Sequence, residues 1–166
     1  MKSMQIQLRD RPGKNGPSTA NFQKAEVDIG EPGDGEVLLE TLFLSLDPYM
    51  RARMYEGANY ADCVKFGDPM PGATISRVLA SKSAGFPAGT LVESWHGWQS
   101  HHIAKTSSLT QIDTGELPIT TWLGAFGLPG LTGYGGLLRY GRPRRGEGPA
   151  PKLAQICCTF SVWEPV

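Results

Sequence analysis

Several residue groups in this chain are of types that do chemistry. Asp47-Pro-Tyr-Met-Arg51 sets a carboxylate, a phenol and a guanidinium side by side. Gly133, Gly135 and Gly136 interrupt an apolar stretch, and glycine is the residue that lets backbone N–H groups approach a phosphate. His96, His101 and His102 offer imidazoles, while Cys63 and the adjacent Cys157-Cys158 offer thiols. A metal site needs three or four convergent ligands, and no cysteine or acidic cluster accompanies the histidines, so they read as surface histidines. Adjacent cysteines hinder a tetrahedral pair, no supporting histidine follows them, and no Ser/His/Asp or Cys/His arrangement stands out. Arg142, Arg144 and Arg145 form a short basic run that reads as a solvated linker.

These residues must be carried by elements that the pattern implies. Ile6 and Leu8 alternate with polar neighbours as in a half-buried strand, and Phe22, Val27 and Ile29 mark a second. Glu36 to Leu46 is the longest apolar run, short and preceded by a glycine-rich turn, which predicts a central strand. Asp47-Pro48 reads as a helix start, with Asp47 as N-cap and Pro48 in the first turn, leading into one or two helical turns through Met54. Strands are predicted again over 73–80, after the turn at Phe86-Pro-Ala-Gly89, and within 95–104. From Pro118 onward Trp122, Phe126, Leu128, Leu131, Tyr134 and Leu137 recur at helical spacing, and Pro129 divides this stretch into two pieces. Short strands joined by Gly/Pro turns favour a barrel or sandwich.

The 166 residues carry 16 Lys plus Arg against 16 Asp plus Glu, a net charge of zero that implies no broad basic face for nucleic acid or an anionic membrane. Hydrophobic residues at 40% and charged residues at 19% exclude a disordered chain. No window approaches the ~20 apolar residues of a membrane helix, nothing at the N-terminus has signal-peptide character, and three cysteines make no disulfide framework. A soluble cytoplasmic protein with reduced thiols is the expectation.

Leu44-Ser-Leu-Asp-Pro-Tyr-Met-Arg-Ala-Arg-Met54 and Leu123-Gly-Ala-Phe-Gly-Leu-Pro-Gly-Leu-Thr-Gly-Tyr-Gly-Gly-Leu-Leu138 together resemble the zinc-independent, NADP-dependent alkenal and enone reductases of the medium-chain dehydrogenase/reductase superfamily, the prostaglandin reductase group. The resemblance runs from about Met4 to about Gly146. It implies a mainly β fold: a GroES-like, partly open β-barrel with short helices over 1–121, an interdomain helical segment over 122–141, and a linker with a non-family tail over 142–166. The family's Rossmann domain is expected to be absent, because no strand followed by Gly-x-Gly-x-x-Gly occurs after Gly146, as in a truncated or frame-shifted product. Gly133, Gly135 and Gly136 precede the point where that strand should begin and read as a backbone approach or kink.

By the same resemblance Pro48 and Tyr49 line the nicotinamide and substrate pocket, Tyr49 stacking on an enone or hydrogen-bonding it, and Leu128 and Thr132 lie near the nicotinamide ring. Leu128 replaces the methionine most usual in Gly-Met-Pro-Gly, a volume-conserving change. The residues alone equally allow a capped helix with Tyr49 packed on the barrel, and core packing for Leu128 and Thr132. Zinc-dependent relatives carry a metal-binding cysteine near this loop, and none occurs between Leu44 and Met54, so no metal is expected. The implied activity is reduction of the C=C bond of α,β-unsaturated ketones or aldehydes with NADPH, with a small-molecule enone or enal as substrate and a homodimer possible in the intact family. The chain alone is expected to be inactive. The alternative is a non-catalytic binding or assembly module, with Trp122, Phe126, Leu131 and Leu137 exposed.

Overall fold

The structure is a computed structural model that describes residues 1–57, 61–113, 115–142 and 161–163. Strand β1 (Lys2–Leu8) pairs along its whole length with β2 (Phe22–Asp28), from Lys2 opposite Asp28 to Leu8 opposite Phe22. Phe22 and Val27 are five positions apart and therefore point to opposite faces of β2, so the anticipated single apolar face does not form and Val27 is exposed.

The anticipated central strand is β3 (Glu36–Leu46), followed by the short helix α1 (Tyr49–Ala52). Strands β4 (Thr74–Ser81), β5 (Leu91–Ser94), β6 (His101–Lys105) and β7 (Thr110–Gln111) complete the larger sheet, in the order β6-β3-β4-β5-β7. A final strand, β8 (Ser161–Trp163), lies within the segment read as an irregular tail and pairs with β3 at Leu44–Leu46. Every strand pairing among the described residues is antiparallel. Two register shifts, at Leu38/Leu39 and Thr41/Phe43, bend β3 against β4. Bonds from Ile6 N–H to the Trp98 carbonyl and from Ser100 N–H to the Met4 carbonyl join β1 to the larger sheet, giving a partly open barrel.

Three apolar clusters fill this frame. Val37, Leu39, Val78, Val92 and Ala104 meet at the centre; Leu8, Met50, Met54, Val64 and Met70 seat α1; and Ala73, Ile75 and Leu123 form the third, with Trp122 packed against it. Trp122 is thus half-buried on the barrel and Leu137 is also half-buried, whereas Phe126 and Leu131 are exposed at 57% and 68%. Trp122 and Leu123 sit in a 3-10 helix, Ile119–Leu123, and the longer helix α2 spans Leu128–Gly135 and continues as a π-helical turn over Gly136–Gly141. Pro129 opens α2 instead of dividing two pieces, because in the first turn its missing N–H removes no intrahelical bond; the break falls at Gly124–Gly127.

The histidines are not the surface set that the sequence suggested. His102 is 3% exposed, because the alternation of β6 turns it into the barrel with Ala104, and its ring stacks on His96 with centroids 4.3 Å apart. A chain of buried hydroxyls leads to it: Ser94 Oγ lies 3.4 Å from His102 Nε2 and 2.7 Å from Thr74 Oγ1. Burial, assisted by the neighbouring His96 and His101, pushes the His102 pKa down to about 3, and burial also lowers that of His96. Both rings are therefore neutral near pH 7. An unfolded chain binds these protons as pH falls through about 6.5 while the folded chain does not, so stability must fall with pH from 7 to about 5.5. The buried His102 proton contributes a slope of up to about 1.4 kcal/mol per pH unit, and the half-buried His96 adds to it in the same direction. Urea denaturation across that range should show the decline, and His102→Gln should flatten it.

Candidate active site

The segment Asp47–Arg53 turns away from β3 as one tight helical turn, closed by the Met50 N–H on the Asp47 carbonyl (3.1 Å) and the Arg51 N–H on the Pro48 carbonyl (3.2 Å). Asp47 supplies a backbone carbonyl to this start, but its carboxylate is not the cap. Ser45 lies two residues back on the strand, and its hydroxyl donates to Asp47 Oδ1 at 3.1 Å. Burial raises the Asp47 pKa, and the Ser45 bond partly offsets the rise. The four-residue spacing between Met50 and Met54 places both on the buried side of the turn, and the same spacing relates Tyr49 to Arg53 on the other.

Arg11 fixes this turn from outside. Its Nη1 donates to the carbonyls of Met54 (3.0 Å) and Val64 (2.7 Å), and its Nη2 lies 3.5 Å from Glu56 Oε1 and 3.6 Å from Cys63 Sγ. The guanidinium also sits over the Phe66 ring, 4.6 Å from its centroid. The Val64 N–H in turn reaches the Arg53 carbonyl at 2.8 Å, so the end of the turn and the returning strand of loop are tied together.

Beside the turn lies an open cavity of about 220 Å³ lined by Tyr49, Arg53, Trp95 and Leu128. The structure therefore brings together two of the four residues expected at the site, Tyr49 and Leu128, from positions far apart in the sequence. Tyr49 is half-buried, with one edge packed on the Leu8/Met50/Met54 cluster. Leu128 is 49% exposed at the start of α2. Pro48 is exposed next to Tyr49 and does not line the cavity, nor does Thr132, whose hydroxyl donates to the Leu128 carbonyl at 2.7 Å one turn back along α2. Arg53 and Trp95 were not singled out from the sequence. The spacing from Tyr49 to Arg53 was the available signal for the first; Trp95 lies in the irregular connection between β5 and β6, where side-chain direction has no period to follow.

Helix α2 is folded tightly onto the turn that precedes it by two glycines. A Cβ at Gly127 would lie 2.3 Å from the Trp122 carbonyl oxygen, and one at Gly130 would lie 1.7 Å from that of Ala125, so only glycine permits this close approach. Gly133 and Gly135 lie within α2, and the Gly136 N–H bonds back to the carbonyls of Gly133 and Thr132, so these amides serve the helix. Of the two readings, close approach or kink, a Cβ at Gly135 would meet open space, which removes a close approach at that residue, while the helix changes to a π-helical turn at Gly136. Among the described residues no three His, Cys, Asp or Glu side chains are grouped so that they could hold a metal ion, and no helix is long and apolar enough to cross a membrane.

Residues 4–112 match the family model described as the N-terminal domain of oxidoreductase. The chain belongs to this family. It is 42% identical to the NADPH-dependent curcumin reductase of Escherichia coli over 142 residues, which is 84% of this chain and 40% of that protein. It is 42% identical to mouse (Mus musculus) prostaglandin reductase 1 over 125 residues, covering 74% of this chain and 36% of the relative. Among solved structures, CurA of Vibrio vulnificus in complex with NADPH superposes with a TM-score of 0.79 at 38% identity, covering 85% of this chain and 42% of that one. The chain thus spans about 40% of the length of the relatives it matches.

Leu128 and the Tyr49 ring offer the cavity apolar and aromatic contacts of the kind a flat ring such as nicotinamide accepts, whereas the glycine amides of α2 are consumed within the helix and offer no cradle for a pyrophosphate. The position of α1, and with it Tyr49 and Arg53, depends on the Arg11 bonds. Arg11→Met should cost about 2 kcal/mol of stability, because two carbonyls lose a charged donor. Urea denaturation of the wild-type and variant chains measures it, and an unchanged midpoint would remove Arg11 from this role.

Proposed function

We propose that this chain supplies the substrate-side half of an NADPH-dependent reductase that acts on the C=C bond of α,β-unsaturated ketones and aldehydes. The observation that carries the reading is the convergence of Tyr49 and Leu128 on one cavity, since they come from the two segments whose sequences carry the family resemblance. NADPH, when bound, supplies the hydride for the β-carbon of the conjugated system. The residues of this chain orient the reactants. The Tyr49 ring stacks on the flat conjugated group and its hydroxyl hydrogen-bonds the substrate carbonyl oxygen, where negative charge develops. Leu128 gives the nicotinamide ring an apolar wall, while Pro48 and Thr132, which lie outside the cavity, support it by holding Tyr49 and, through the bond to the Leu128 carbonyl, the start of α2.

Reduction also needs a surface that holds the rest of the dinucleotide, and the described residues offer no cradle for it. The purified 166-residue chain is therefore expected to bind an enone weakly yet to consume no NADPH. Turnover at a rate near that of complete relatives would overturn the inactivity of the isolated chain. Tyr49→Ala should abolish enone binding followed by tryptophan fluorescence, whereas Tyr49→Phe should keep the stacking share of it.

A second reading is a non-catalytic binding or assembly module, favoured by the exposure of Phe126, Leu131, Tyr134 and Leu138 along one short stretch. A chain that sediments as a monomer and leaves the apolar dye ANS unbound would argue against it.

A further inference from the structure

The backbone ladder of the first hairpin leaves one edge of β2 open among the described residues. The Ile29 N–H on the Met1 carbonyl (2.8 Å), the Met1 amino group on the Ile29 carbonyl (3.1 Å) and the Arg9 N–H on the Asn21 carbonyl (2.9 Å) set the phase of that ladder. Hydrogen-bonded pairs in an antiparallel ladder recur at every second residue, so Gln23, Ala25 and Val27 direct their backbone groups to β1. The N–H and C=O groups of Lys24, Glu26 and Asp28 point the other way, and among the described residues none of them has a partner. The corresponding groups on the far side of β1 are engaged, since Met4 and Ile6 bond to Ser100 and Trp98. The side chains of Lys24, Glu26 and Asp28 are exposed as well. An edge of this kind accepts another extended strand, and a lone charge on it, most often a lysine, is the usual guard against that. Here the charge is not alone: Lys24 and Glu26 flank Ala25 with opposite signs.

We propose that the free edge of β2 is a docking surface for a second copy of this chain, the two β2 strands pairing antiparallel about a two-fold axis at Ala25. The charge pattern selects this register. An axis at Lys24 sets lysine against lysine, one at Glu26 sets glutamate against glutamate, and one at Val27 sets Glu26 against Asp28, all unfavourable. The axis at Ala25 sets Lys24 of each copy opposite Glu26 of the other, and each such pair exchanges two backbone bonds through the groups that β1 leaves free. It also places Ala25 against Ala25 in a non-hydrogen-bonded pair, where strands come nearest and a small side chain fits. Glu26 holds Lys2 Nζ at 3.0 Å on the exposed face, so each carboxylate is then shared between Lys2 of its own chain and Lys24 of the other. Val27, 36% exposed, is covered opposite Gln23 of the second copy. The two-fold occupies both edges at once, so association stops at the dimer, and a contact of one strand per copy places it among weak, reversible associations. No residue lining the cavity lies on this edge, so the pairing stands apart from the proposed function.

Sedimentation velocity of the 166-residue chain over a range of concentrations should show a reversible monomer–dimer equilibrium that weakens as salt is added. Lys24→Glu and Glu26→Lys, which each set like charges opposite one another, should each weaken the dimer by about tenfold. An equimolar mixture of these two variants, and separately the double swap Lys24→Glu/Glu26→Lys, should dimerise as the wild type does, because every acid again faces a base. Hydrogen exchange gives a readout free of substitutions: the amides of Lys24 and Glu26 should slow as concentration rises, while those of Gln23, Ala25 and Val27, already bonded to β1, should not change. A chain that stays monomeric at every concentration would overturn the proposal, as would a dimer indifferent to both charge reversals or one that the mixture fails to restore. Leu131→Ser probes the other exposed surface: association lost there and kept in Lys24→Glu would assign the contact to α2 and overturn the role of β2.

Discussion

A four-residue helix cannot stand by itself in water, and the site depends on one. Nucleating a helical turn fixes several dihedral angles for a single hydrogen bond, so a segment as short as Tyr49–Ala52 persists only if its surroundings hold it. Two devices do so here. Met50 and Met54 sink into the cluster of Leu8, Val64 and Met70, and Arg11 reaches over the end of the turn to the carbonyls of Met54 and Val64. The first anchors one face through burial; the second gives the loose carbonyls at the end of the turn a charged donor. The other side of the turn carries Tyr49 and Arg53, which line the cavity.

The barrel has to exist before this arrangement can form. Leu8 lies on β1, Met70 precedes β4, and Trp95 follows β5, so the residues that seat or line α1 meet only after the strands have paired over long separations in sequence. Gly97 marks one of the close passages this requires. Its φ of 76° is in the left-handed region, and a Cβ there would fall 2.0 Å from the Met70 carbonyl oxygen. The Trp98 N–H reaches that same oxygen at 2.8 Å, so the connection carrying Trp95 and His96 is bonded to the strand of chain that carries Met70. The floor of the cavity and the seat of α1 are thus a single construction.

The parts governed by periodicity were the legible ones. β3 was readable because its run of apolar residues is bounded by a glycine-rich turn and by Asp47-Pro48, and both bounds hold. Tyr49 and Leu128, each from one of two motifs far apart in the sequence, meet at one cavity. His102 was misread because a histidine at strand spacing looks the same in sequence whether its face is solvated or buried; the deciding fact, the hydroxyl chain of Thr74 and Ser94 across the sheet, comes from other strands. Pro129 was taken as a divider because a proline breaks an established helix, yet Gly127 ends the preceding turn first and leaves the proline where a helix accepts it. Asp47 was expected to cap α1 because aspartate is a good acceptor for free N–H groups; Ser45, two residues back on a strand, was the nearer donor.

Leu128 joins the cavity to a wider apolar surface. Leu131 and Tyr134 follow it at three-residue intervals on α2, each 68% exposed, so the rim of the site continues as a ridge of uncovered side chains. Any surface that packs on that ridge also displaces water from the cavity beside it. Electrostatic interactions strengthen as water leaves, since the effective dielectric falls, and the polar groups at the cavity wall would gain most. Covering the ridge and drying the cavity at its edge are therefore one physical event, so under the proposed function what lies on α2 would set the strength of ligand binding as much as the residues of the barrel do.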